Sequence, residues 1–357
     1  MNSIVDVLKV VSDFLPQIYG VGGMVRDDKR NRPVNDYDFT TPSTPDEVEE
    51  ALRVNNPGRK LYLIGKKYGT IGTKVWVPEW NKYVIAEITT FRSEQYTYGN
   101  RKPNVEFVED ITADLMRRDF TINAMAYRWK DGRLRLIDPF DGEEDLDRHL
   151  IRAVGNPRQR FKEDPLRMLR ACRFLSTLYE EGDLPWGVEH DTFIKMRERA
   201  FSILTVSRER WCMEMDKLLM GPGVAQGLHM LAESRLLSFM FPELMLQVGY
   251  DQACPYHDHE LWDHTVRVVE LVPFDINMRW AALFHDIAKP FCATWKSAEQ
   301  KNYIHHELLG AELVDKYAHY LRWSNERRYA VRELVLGHQQ DSSELKFYDD
   351  MAKMEES

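Results

Sequence analysis

Hydrophobic and polar positions alternate in two different ways along this chain. Near its start QIYGVGG (17–23) reads as an apolar strand entering a glycine turn, DYDFTT (36–41) as a strand, and KVWVPEWNKYVIAEITTFR (74–92) as paired strands. Between them TPDEVEEALRVN (44–55) has a helical pattern with Thr44 placed as its cap. After LRLIDPFDG (134–142) the strand signals fade, and from about residue 158 the spacing is helical. EDPLRMLRACRFLSTL (163–178), RERWCMEMDKLLMG (208–221), GVAQGLHMLAESRLL (223–237), HTVRVVELV (264–272), RWAALFHDIAK (279–289) and LLGAELVDKYAHYLR (308–322) all follow it. This order predicts an α+β head followed by an all-helical remainder. The turn-rich GNPRQ (155–159) and GYDQACPYH (249–257) are candidate seams, and no internal repeat interrupts the pattern.

Length and composition narrow the picture. At 357 residues the chain exceeds the size of one growing core, so two or more packed units are expected. Its apolar runs fall well short of the ~18 residues of a membrane span, and MNSIVDVLKV lacks the order of a signal peptide, so a cytoplasmic protein is expected. Cys172, Cys212, Cys254 and Cys292 are too scattered for a disulfide framework or a zinc knuckle. A net charge of −9 excludes indiscriminate coating of nucleic acid. One stretch runs the other way: Arg148, Arg152, Arg158, Arg160, Lys162, Arg167, Arg170 and Arg173 face only Glu163 and Asp164 between 148 and 173. That stretch is either a dock for a polyanion or a solvated helix face.

The candidate chemistry begins in the head. Gly22 and Gly23 follow a strand and let backbone N–H groups approach an anion, with Arg26 a turn later as a bidentate partner. Asp36 and Asp38 share one face of a strand while Tyr37 points the other way. Two adjacent carboxylates repel unless a cation lies between them, which is the first argument for metal. Glu87, isolated in the apolar VIAEITTFR, is the candidate third carboxylate, since an unpaired charge inside such a strand would be costly. The plainer readings are a simple glycine turn, an Arg26–Asp27 surface pair and a Glu87–lysine pair.

These motifs come in a recognisable series. GGMVRD, DYDFTT, EITTFR, RRDFTINAMAY and EDPLRMLRACRF, in that order between Tyr19 and Gly221, resemble class II tRNA nucleotidyltransferases, the family of CCA-adding enzymes and bacterial poly(A) polymerases. The resemblance implies a polymerase-β-like nucleotidyltransferase head (1–137), a neck with a nucleotide-selecting helix (138–180), a helical tRNA-binding body (181–250) and a tail (251–357). It further implies that Asp36 and Asp38 hold catalytic Mg²⁺ and activate an RNA 3′-hydroxyl, with Glu87 the weaker third carboxylate. Gly22, Gly23 and Arg26 would contact the triphosphate, and Arg117, Arg118, Asp119 and Asn123 the ribose and phosphates. The implied reaction is addition of C, C and A from CTP and ATP to the tRNA 3′ acceptor end. A poly(A) polymerase or an enzyme adding A alone is the alternative on the same scaffold.

Within EDPLRMLR, Asp164 and Arg167 are three apart and are expected as neighbours on one helix face, with Arg170 one turn on to orient them. A carboxylate beside a guanidinium can match the Watson–Crick edges of cytosine and adenine and mismatches uracil and guanine. The pair thus suits the family's protein-templated base choice. RSEQYTYGNRKPNVEFV (92–108) sits where the family carries a loop linked to the final A addition.

Histidines crowd the last third of the chain. His264, the adjacent His285–Asp286 on one expected helix, His306 and His338 resemble the HD phosphohydrolase superfamily. Imidazoles with one carboxylate suit Mn, Ni, Fe or Zn, so a second, hydrolytic activity is implied. The superfamily's further aspartate, well beyond the last histidine, could come only from Asp341, Asp349 or Asp350, which leaves the tail's metal set open.

Overall fold

The computed structural model describes residues 3–55, 58, 60–95, 104–252, 260–297 and 300–356. Its two compact units are Met1–Glu163 and Asp164–Ser357.

The first unit is built on a six-stranded sheet. Its strands are β1 (Tyr19–Val21), β2 (Tyr37–Thr41), β3 (Thr70–Val77), β4 (Lys82–Thr90), then, beyond a separate hairpin of β5 (Arg92–Gln95) and β6 (Asn104–Phe107), β7 (Ala126–Lys130) and β8 (Arg133–Ile137). The spatial order is β3-β4-β2-β1-β7-β8, with β2 and β4 parallel and the other neighbours antiparallel. Helix α1 (Ile4–Phe14) packs on this sheet through Ile4, Val7, Leu8 and Val11, an i, i+3, i+4, i+7 stripe, and Ser3 caps it. Helix α2 (Gly23–Lys29) follows β1 directly, and α3 (Pro45–Asn55) follows β2. Thr44 and Glu47 cap α3 reciprocally: the Glu47 N–H donates to Thr44 Oγ1 at 3.3 Å and the Thr44 N–H to Glu47 Oε2 at 2.7 Å. The remaining helices of this unit are α4 (Ile111–Met116), α5 (Gly142–Asp147) and α6 (Pro157–Glu163). Tyr19, Val21, Phe91, Leu115, Ala124, Ala126 and Val154 form a core beneath β1 and β7.

The second unit is helical: α7 (Leu166–Thr177), α8 (His190–Arg199), α9 (Arg208–Leu219), α10 (Val224–Glu233), α11 (Leu236–Met240), α12 (Pro242–Met245), α13 (Leu261–Leu271), α14 (Ile276–Phe284), α15 (Lys289–Cys292), α16 (His306–Tyr320), α17 (Asn325–Gly337) and α18 (Glu344–Glu356). Helix α7 is almost wholly buried and is crossed by α9 and α10. The α10 crossing depends on Gly227, where a Cβ would sit 2.9 Å from the Cys172 carbonyl. Trp280, Phe284, Tyr317 and Trp323 pack edge to face and stacked, with centroids 5.0 Å apart for Trp280–Trp323 and 5.4 Å for Phe284–Tyr317. Burial of the Trp280, Phe284 and Tyr317 rings contributes about 1.5–3 kcal/mol each through area alone.

The helical reading of this half misses an antiparallel hairpin of Ala293–Ser297 and Gln300–Tyr303. None of its described residues is fully buried, so it lacks the one-sided apolar alternation that announces a strand. Among the described residues no helix is long and apolar enough to cross a membrane. Residues 96–103 of the 92–108 loop, and Cys254, lie outside the described residues.

Candidate functional site

In the head, β2 presents Asp38 half-buried, with Tyr37 and Phe39 turned into the core and Asp36 exposed just ahead of the strand. Parallel pairing sets Glu87 of β4 directly opposite Asp38. Paired residues on neighbouring strands share a face, so three carboxylates occupy one side of the sheet. Burial, and then the charges of Glu87 and Asp36, raise the Asp38 carboxyl above its usual range, while Arg118 pulls it down. Glu87 is not the unpaired charge inside an apolar strand that its sequence context suggests. It lies on the exposed face of β4, beside the exposed Ile85, so desolvation does not single it out. What singles it out is its register against Asp38. The three do not converge tightly: among the described residues, groups of three or more donor side chains within 4.8 Å occur only in the second unit.

The glycine turn stands beside this face. Gly22 has φ +75°, a left-handed conformation that strains any L side chain, and a Cβ there would approach Arg118 Nη1 to 2.8 Å. Arg26 donates Nη1–H to Asn123 Oδ1 at 2.8 Å and pairs with Asp27 through Nε and Nη2 at 2.8 and 3.0 Å. The plain Arg26–Asp27 pair and a longer-range contact therefore coexist. Asn123 Nδ2 donates to Asp119 Oδ1 at 3.1 Å, and Arg118 Nη1 reaches the Asn123 carbonyl at 3.4 Å. Gly22, Arg26, Arg118, Asp119 and Asn123, separated by up to a hundred positions, thus form one polar cluster. Arg117 turns elsewhere, donating Nε–H at 2.9 Å to Asp114. Asp114 is fully buried and also accepts from the Arg92 N–H at 3.2 Å and the Thr40 hydroxyl at 3.3 Å, a hub that sequence reasoning missed. Nothing local in ITADLM marks it, because its partners lie up to 74 positions away.

At the start of the second unit, Asp164 stands two residues ahead of α7, so it is not a helical neighbour of Arg167 as the spacing suggested. Its Oδ1 accepts the Leu166 N–H at 3.1 Å, and its carboxylate pairs with Arg210 of α9 at 2.7 Å. Proline at 165 ends the helical run there. Arg167 is buried in α7, and Arg170 pairs with Glu214 at 3.7 Å and lies over the Phe174 ring. Arg210 and Glu214 come from a separate helix and carried no signal near EDPLRMLR. Much of the basic stretch is neutralised nearby: Arg148 pairs with Glu144, Arg152 with Asp145, Arg160 with Glu163, and Arg170 and Arg173 with Glu214. Arg158 and Lys162 stay exposed.

The tail gathers its histidines from separate elements. His264 lies in α13, His306 opens α16, His338 ends α17 and Asp349 lies in α18. His285 and Asp286 occupy the turn between α14 and α15 rather than one helix. Two buried groups result, His264–His285–Asp286–Asp349 and Asp286–His306–His338, each with its donor atoms within 4.8 Å. Asp286 belongs to both, Oδ2 lying 3.1 Å from His285 Nε2 and Oδ1 3.1 Å from His306 Nε2. Asp349, of the three aspartates the sequence left open, completes the first group, with Oδ1 2.9 Å from His264 Nε2.

Hydrogen bonding orients these rings. Nδ1 of His285, His306 and His338 lies 2.7, 2.6 and 2.6 Å from the carbonyls of Ala282, Tyr303 and Val335. A carbonyl only accepts, so each Nδ1 carries the proton and each Nε2 points inward as a potential ligand. His306 and His338 Nε2 atoms face each other at 3.1 Å. His285 Nε2 and Asp286 Oδ2 have no hydrogen bond of good geometry, although Lys289 Nζ stands 2.7 Å from that oxygen. Burial opposes charge on His285, yet Asp286 and Asp349 carry it up to about 9, while burial and His285 press His338 down to about 4. Buried orphan atoms and converging lone pairs fit a divalent transition metal.

Carboxylates on paired strands, a positive-φ glycine turn leading into a helix and a helical second unit are the parts of a nucleotidyltransferase-type head followed by a helical unit. Comparison with known proteins makes the assignment definite. Residues 18–152 match the poly A polymerase head domain, 187–247 the probable RNA and SrmB-binding site of polymerase A, and 261–356 the HD domain. A CCA-adding enzyme of Staphylococcus haemolyticus is 40% identical over 211 residues, covering 59% of this chain and 48% of the relative. One from Geobacillus thermodenitrificans is 37% identical over 286 residues, covering 78% of this chain and 62% of the relative. The chain therefore spans about half to three-fifths of the length of these curated relatives. Among solved structures, the Bacillus stearothermophilus CCA-adding enzyme in complex with CTP superposes with TM-score 0.61 at 26% identity, over 97% of this chain and 81% of that one. The Thermotoga maritima CCA-adding enzyme complexed with tRNA shares the fold, with TM-score 0.54 at 19% identity over 98% of this chain and 80% of that one. The chain belongs to the class II tRNA nucleotidyltransferase family of CCA-adding enzymes and bacterial poly(A) polymerases, with an HD-type C-terminal domain.

Proposed function

We propose that this chain adds C, C and A to the 3′ end of tRNA from CTP and ATP. The observation that carries the reading is the register of Asp38 against Glu87 with Asp36 alongside, beside the cluster of Gly22, Arg26, Arg118 and Asn123. Asp36 and Asp38 fit Mg²⁺: burial and two neighbouring carboxylates disfavour the Asp38 charge, and a cation there relieves both. When bound, the ions neutralise charge that develops on the transferred phosphoryl oxygens. Asp36 and Asp38 orient the RNA 3′-hydroxyl and accept its proton. Arg26 and the N–H groups of Gly22 and Gly23 hold the triphosphate, while Arg118, Asp119 and Asn123 hold the ribose. Arg117, tied to Asp114, supports this cluster from behind. Base choice is assigned to Asp164 and Arg167, with Arg210 setting the Asp164 carboxylate and Arg170 held by Glu214. Compartment follows from substrate, and a cytoplasmic role fits tRNA maturation.

The test supplies tRNA ending before CCA, after C and after CC, with each nucleotide singly and with Mg²⁺. C, C and A in turn are expected, and long A tails or A on all three substrates would overturn the assignment in favour of poly(A) or A-only addition. Asp36→Ala and Asp38→Ala should each abolish incorporation.

A second reading concerns the tail, where His264, His285, Asp286 and Asp349, with His306 and His338, are proposed to hold a transition metal (Mn, Ni, Fe or Zn) and hydrolyse phosphoesters. The shared Asp286 supports it, one oxygen toward each group.

A further inference from the structure

The side of the sheet that carries Glu87 continues beyond it. Along β4, Val84, Ala86 and Ile88 are buried, whereas Tyr83, Ile85 and Glu87 are exposed on the opposite face. Register places Gly72 opposite Glu87, Lys74 opposite Ile85 and Trp76 opposite Tyr83, so the exposed row is two strands wide. Trp76 and Tyr83 stand with ring centroids 4.8 Å apart and remain 38% and 36% exposed, and Ile85 is 59% exposed. Tyr62, 41% exposed, bridges to Gly72 and fills the space beside that glycine. Large apolar side chains in a row on a solvent face, with a lysine among them, are not needed by the core, which lies on the other face.

We propose that Trp76 and Tyr83, with Ile85, Lys74 and Tyr62, form a stacking platform for the single-stranded RNA just upstream of the reacting 3′-hydroxyl. The inference rests on the reading of Asp36, Asp38 and Glu87 as the transfer centre. Two strand residues span about 7 Å and four about 13 Å, so the row runs from Glu87 over about four stacked nucleotides at ~3.4 Å each. Aromatic faces interleaved with a cation bind bases with little sequence preference. That suits a substrate whose last bases change with every addition, and Lys74 supplies local positive charge on a chain of net charge −9. A protein partner seated on the same row would cover the face that Glu87 shares.

The test uses the full chain and an RNA carrying 2-aminopurine at one of its last four positions. Wild type should quench the fluorophore on binding, and Trp76→Ala with Tyr83→Ala should remove the quench. The same pair should raise KM for RNA about 5- to 100-fold while KM for CTP and kcat at saturating RNA stay near wild type, and Trp76→Phe with Tyr83→Phe should restore most of the loss. An RNA KM within twofold of wild type, or an undiminished quench, overturns the platform and leaves the row to another partner. If wild type adds no nucleotide, the transfer reading falls, and the quench still decides the platform.

Discussion

The Asp164 carboxylate sits ahead of α7 and is gripped by Arg210 from α9. If Asp164 reads the base edge, its aim depends on that grip. Arg210→Ala should lower the preference for C over U by about tenfold, since a charge-assisted hydrogen bond is worth about 1.5–3 kcal/mol, and Asp164→Ala should lower it further. Single-nucleotide incorporation ratios measure both, and an unchanged ratio in Asp164→Ala would remove base reading from this residue. Gly22 is the other informative position. Alanine there meets both a φ of +75° and Arg118 Nη1, so Gly22→Ala should raise KM for the nucleotide at least tenfold and leave the affinity for RNA unchanged.

At the scale of elements, local rules did well where one segment holds its own partners. Thr44 and Glu47 cap α3 across three residues, and Thr44→Ala should lower the unfolding free energy by about 1 kcal/mol in urea titration. Alternation revealed β3 and β4, yet it could not say that β4 pairs with β2 in parallel, which is what sets Glu87 opposite Asp38. Ties between distant elements are invisible in the same way. Glu243 of α12 accepts from Lys316 and from the Tyr317 hydroxyl of α16. Burial alone would raise its pKa, but these two partners lower it. A carboxyl lowered in the fold stabilises above its unfolded value of about 4.3, and that stability is lost as the pH falls through the lower folded value. Glu243→Gln should therefore cost about 1 kcal/mol at pH 7, solvent screening included, and the difference in Tm from wild type should vanish on acidification below that range.

The molecule as a whole comprises two compact units, and each can be tested by itself. Asp286→Ala should abolish binding of Mn²⁺ or Ni²⁺ by the full chain, read by metal analysis after gel filtration, and any hydrolysis of a cyclic phosphodiester. Addition of CTP-derived C by the same variant should stay within about twofold of wild type. Loss of both activities together would show that the tail serves the head, and retention of tail metal would show that Asp286 is not its ligand.

By itself the sequence determined the family, the division into a mixed head and a helical remainder, and most of the residues that carry charge into the candidate sites. These depend on local periodicity and on short motifs whose parts lie within a few residues of each other. Tertiary structure decided the register that sets Glu87 opposite Asp38 and the choice of Asp349 among three aspartates to join His264, and it alone supplied Asn123 for Arg26 and Arg210 for Asp164. Each of these couplings spans tens of residues or more. Electrostatics and hydrogen bonding act over a few ångströms in space, and only the folded backbone converts distance along the chain into that distance.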